Sequence, residues 1–109
     1  MNLNISLRDP TSTYDTSDLY EGELSCNLVE MVEKSGLEDV LWNIDHLTQA
    51  KDIVGEIKKG LTELNKRPEY YSQFNSLNGI GTYSSFVIFL EEYLVALEKY
   101  PLSIIEIYN

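Results

Sequence analysis

Leu3, Ile5 and Leu7 alternate with Asn2, Asn4 and Ser6, and the same period of two returns at Tyr20, Gly22, Leu24 and Cys26 against Glu21, Glu23 and Ser25. Alternation puts every second side chain on one face of a strand, so both stretches predict half-buried strands. Between them, "DPTSTYDTSD" is made of turn formers, and the pair reads as a hairpin with a long loop.

The period then lengthens. Asn27 followed by Glu30 has the logic of a capping box and predicts a helix over 27–35, striped by Leu28, Met31 and Val32 and closed at Gly36. "LEDVLW" predicts a further helical turn that carries Trp42 toward the core. From Thr48, apolar residues at Ala50, Ile53, Val54, Ile57, Leu61 and Leu64 predict a helix over 48–65, stopped by Pro68, which can itself open a short helix in "PEYYSQF". Asn78 and Gly79 form a turn, and Thr82 caps a helix over 82–99 striped by Phe86, Val87, Leu90, Tyr93, Leu94 and Leu97. Pro101 ends it, and the β-branched "SIIEIY" predicts a last strand. The expected fold is α+β: a small antiparallel sheet from residues 2–8, 19–26 and 103–108, covered on one face by three main helices.

Composition narrows the function. A chain of 109 residues, 43% hydrophobic with eight tyrosines, suits a single folded domain with a charged surface. Its net charge of −10 is uneven: residues 1–45 hold ten acids against Arg8 and Lys34, residues 46–109 eight acids against six bases. Such a chain repels nucleic acid and anionic membranes, so a macromolecular partner is expected to be a protein with a basic surface. Homo-oligomers remain open. One cysteine and no apolar run near 20 residues point to a reducing cytoplasm and no membrane span.

The order of motifs resembles a family of small uncharacterised proteins found widely in bacteria and their phages. The resemblance spans residues 25–101 and rests on "SCNLVEMVEKSGLEDVLW", "AKDIVGEIKKGLTELNKRPEYYSQFN" and above all "NGIGTYSSFVIFLEEYLVALEKYP". It implies a phage or prophage setting and attaches no activity. Relatives often carry histidine where this chain has Cys26, tryptophan where it has Ile80 and cysteine where it has Leu97. A base or metal ligand at that histidine would be lost here.

Candidate chemistry is sparse. The amides around Asn78, Gly79, Gly81, Thr82 and Tyr83 could meet an anion at a helix start, yet the spacing is not that of a phosphate loop and no lysine lies within it. A turn with close packing at Gly81 and a cap at Thr82 is the simpler reading. His46 has no second histidine or cysteine pair to complete a metal site, and Cys26 has only His46 as a base. Glu91 and Glu92 are adjacent and diverge on a helix. No cofactor, no metal and no catalytic residue is expected. The leading expectation is a non-enzymatic protein binding a host or phage macromolecule through an acidic surface that includes Asp15, Asp18, Glu21 and Glu23. The alternative is a nucleotide-like small-ligand binder at the Asn78 turn, with Lys51, Lys58 or Lys59 nearby.

Overall fold

A computed structural model describes residues 2–11 and 19–108. β1 (Asn2–Arg8) is the central strand, pairing antiparallel with β2 (Tyr20–Ser25) on one side and β3 (Ile104–Tyr108) on the other. The alternation read in the sequence sets the two faces. Ile5 and Leu7 of β1, Leu24 of β2 and Ile105 of β3 are buried against the helices, while Glu21, Glu23 and Tyr108 are exposed on the other face.

The helices are α1 (Val29–Lys34), α2 (Glu38–Leu41), α3 (Val54–Lys66), α4 (Pro68–Ser72) and α5 (Tyr83–Lys99). Buried residues from both outer strands, the central strand and all five helices join in one cluster, which makes this an α+β fold with helices on one face of the sheet. α5 runs through its middle, with Phe86, Leu90, Tyr93 and Leu97 fully enclosed. Trp42 packs half-buried on the rim of that cluster, as its place after α2 predicts.

Three boundaries differ from those the local pattern predicts. β2 ends at Ser25, and Cys26 is exposed in a 3-10 turn spanning Cys26–Leu28. Ser25 caps that turn by accepting from the Asn27 N–H at 3.2 Å. Asn27 therefore does not cap a helix with Glu30; its side chain donates to the Ile80 carbonyl and ties the turn to the segment before α5. The helix expected from Thr48 begins only at Val54. Residues 48 and 49 are instead drawn to the edge of β3: the Ala50 N–H donates to the Ser103 carbonyl and the Ile105 N–H to the Thr48 carbonyl, both at 2.9 Å, flanking a Gln49–Ile104 bridge. A backbone engaged across a sheet edge is unable to wind into a helix at the same groups.

Tyr20 lies over Gly22, where a Cβ would fall 2.5 Å from its hydroxyl, and stacks on Tyr93 with ring centroids 5.6 Å apart. The buried Tyr93 hydroxyl has no hydrogen-bond partner among the described residues. Burial, then the neighbouring Tyr20, pushes its pKa above the usual 10.0. Tyr71 is raised to about 12 by burial and by its hydrogen bond to the Glu63 carboxylate. Each folded-state value lies above the unfolded one, so the associated stability is complete below about pH 10 and lost as pH rises through the raised values. Tyr93→Phe removes a desolvated hydroxyl that gains nothing in return. It should raise stability at neutral pH by about 1 kcal/mol and flatten the alkaline loss. Urea unfolding at pH 7 and pH 11 measures both, and a clear loss at pH 7 contradicts the assignment.

Candidate functional site

The outer face of the sheet carries a row of charged and polar side chains from all three strands. Register places Glu21, Ser6 and Glu106 in one cross-strand row, and Glu23, Asn4 and Tyr108 in the next. Residues two apart on a strand share a face about 7 Å apart, and adjacent strands lie about 4.8 Å apart. Glu21, Glu23 and Glu106 therefore stand on one small surface. Arg8, on the same face of β1, donates from its Nε to Glu106 Oε1, with both side chains about 40% exposed. The described residues thus set three carboxylates and one guanidinium on this face. Such half-solvated pairs contribute little to stability.

At the centre, Ser6 is 1% exposed and its hydroxyl has no partner among the described residues. Beside it a shallow cavity of about 230 Å³ is lined by Asn4, Glu21, Glu23 and Tyr108 over the backbone of Ile5 and Gly22. Burial, then the Glu92 charge, raises the pKa of Tyr20, which lies at the start of β2 on the opposite face. The face thus offers carboxylate acceptors and a phenol, and the Ser6 hydroxyl between Glu21 and Glu106 is enclosed. Among the described residues no group of three or more His, Cys, Asp or Glu is placed to hold a metal.

Of the residues singled out in the sequence, Glu21 and Glu23 lie on this face, and Asp15 and Asp18 lie outside the described residues. Arg8, Ser6 and Glu106 were missed, since nothing local in "SIIEIY" shows that it pairs with β1. The alternation in each strand, combined with a β2-β1-β3 order, would have found them.

The turn before α5 is spent on itself. Gly79 and Gly81 have φ of 78° and 84°, as an Asn-Gly turn and a close approach require. The Ile80 N–H donates to Asn78 Oδ1, Thr82 N–H to Ser85 Oγ, Tyr83 N–H to Asn75 Oδ1 and Ser85 N–H to Thr82 Oγ1. Most amides that would greet an anion are therefore occupied. Lys58 pairs with Glu98 at 3.7 Å and the Lys51 amide bonds the Pro101 carbonyl, which puts both at the far end of α5, about 24 Å away along its axis. Cys26 follows β2, whereas His46 faces β3, so the two flank opposite edges of the sheet. The fold brings them into no reactive couple.

Searches against protein-family models, curated proteins and solved structures found no match to this chain.

Proposed function

We propose that the protein is a non-enzymatic binding protein that engages a basic surface of a protein partner through the outer face of its sheet. The observation that carries this reading is the placement of Glu21 and Glu23 on β2 and of Glu106 across the central strand on the one face opposite the helices. Carboxylates at strand spacing on an exposed surface complement lysine and arginine side chains and speed encounter with them. A partner that uses such a surface to hold nucleic-acid phosphates is the class that an acidic face of this kind would occupy by charge mimicry. The phage setting of that partner rests on the resemblance alone.

The test is capture from bacterial lysate on immobilised protein at low and at physiological salt, beside Glu21→Lys/Glu23→Lys. Both substitutions are on exposed positions and should change stability by less than about 0.5 kcal/mol each. The expected result is a basic protein retained by the natural chain, released as salt rises and absent from the double variant. Equal retention by both chains, or none at either salt, contradicts the proposal.

A further inference from the structure

β3 has a second edge, and the chain covers only half of it. Residues 48–50 lie against it through an isolated Gln49–Ile104 bridge and bond to Ser103 and Ile105. The antiparallel pattern fixes which groups point that way. In a strand, alternate residues direct both N–H and C=O to the same side, so those of Ile105 and Ile107 point outward, as does the Ser103 carbonyl before the strand, and those of Glu106 point toward β1. Continued one step, the ladder would join the Ile107 N–H to the carbonyl of His46 and the Thr48 N–H to the carbonyl of Ile105. It does not continue: the Thr48 N–H turns back to the Asp45 carbonyl at 3.2 Å, and its hydroxyl bonds the same oxygen at 2.7 Å.

Leu47 is where the chain leaves. Its φ of 68° is the only positive value at a non-glycine residue among those described, and its side chain is 57% exposed, so packing does not reward the strain. The departure opens a cleft of about 480 Å³, with Trp42, Ile44, Asp45 and His46 on one wall and residues 105–108 on the other. Four consecutive strand residues line it. Since their side chains alternate between the two faces, the cleft runs along the strand edge rather than over one face.

We propose that this edge takes up an extended peptide segment of a protein partner as an added strand, with apolar and cationic side chains in alternation. Main-chain bonds to the Ile105 carbonyl and to the N–H and carbonyl of Ile107 supply register, the Ile105 N–H being held by Thr48. The added strand's side chains alternate as the sheet's do. Those on the helix side meet Trp42, Ile44 and Ile107 and are apolar. Those on the outer side come up beside Glu106, within the acidic face formed with Glu21 and Glu23, and are cationic. Asp45 adds a carboxylate on the opposite wall, and among the described residues no lysine or arginine lines the cleft. This inference rests on the reading that the protein binds a basic protein partner, but it centres the contact on the β3 edge and shares only Glu106 with the acidic face.

The experiment uses the full chain, isotopically labelled, titrated with a short capped peptide of alternating lysine and valine, and with a control in which proline replaces valine at unchanged charge. Proline lacks the N–H that a ladder needs. The expected result is exchange of the Ile107 amide slowed by at least about tenfold on saturation, binding of the proline control about tenfold weaker or worse, and weaker binding to Asp45→Lys. An Ile107 amide untouched at millimolar peptide overturns the proposal. Equal binding of both peptides, with changes confined to Glu21 and Glu23, overturns it too while leaving the acidic-face reading intact. Protection of Ile107 in the peptide-free chain together with a dimeric mass assigns the edge to a second copy and likewise overturns it.

Discussion

Phe86→Ala should lower the unfolding free energy by about 3–5 kcal/mol, because it removes a fully buried ring from the core cluster. Phe86 lies in the first turn of α5, where the Thr82 cap fixes the backbone, so the helix start is poorly free to collapse into the void. A domain of this size has about 5–15 kcal/mol in total. The loss therefore corresponds to a fall in melting temperature on the order of 15–25 °C. Ile88→Ala, two positions on, truncates a side chain that is 56% exposed and should change stability by no more than about 0.5 kcal/mol. Calorimetry on the two variants checks the contrast, and similar effects at both positions contradict the orientation of α5.

Gly81→Val should be nearly as damaging, for a different reason. At φ of 84° a β-branched residue is strained by about 1–3 kcal/mol, and its Cβ would fall 2.9 Å from the Cβ of Asn27. Relief of that overlap would push the Cys26–Leu28 turn away and break the bond from the Asn27 side chain to the Ile80 carbonyl. Overpacking of this sort costs a further 1–3 kcal/mol or so. Gly79→Ala separates the two effects. Gly79 has the same backbone hand, at 78°, but open space around it, so only a strain of about 1–2 kcal/mol is expected. Urea unfolding should order the stabilities as natural chain, Gly79→Ala, Gly81→Val; equal losses for the two variants contradict the close packing at Gly81. Loss of a ligand response in Gly81→Val would report loss of fold, so that variant is no probe of an anion site at this turn.

The parts of the fold that sequence made legible are those in which local and tertiary preferences coincide. α5 has a sustained apolar stripe, a Thr82 cap and a proline beyond its end, and its observed span, Tyr83–Lys99, matches the span read from that pattern. β1 and β2 announce themselves by alternation. The start of α3 was misread because Ala50, Ile53 and Val54 hold helical spacing although Gln49 is bound to Ile104, a contact 55 positions away that no local pattern reveals. The cap at Ser25 was missed for a related reason: Asn27 is also a good cap, and only the approach of Ile80 shows that its side chain is needed elsewhere. In the candidate site, Glu21 and Glu23 were legible as one face of a strand. Their meeting with Glu106 and Arg8 depends on strand order, and the diversion at Leu47 runs against the ordinary preference of leucine, so neither is encoded in local spacing.

The central claim is that the outer face of the sheet is the binding surface. Carbodiimide labelling of carboxylates, read by mass spectrometry in the free protein and in its complex with the captured partner, tests it most directly. Labelling of Glu21 and Glu23 should fall severalfold in the complex, while Glu56 on α3 and Glu91 on α5, exposed on the helical side, should label as in the free chain. Unchanged labelling at Glu21 and Glu23, with protection at Glu56 or Glu91 instead, would contradict it.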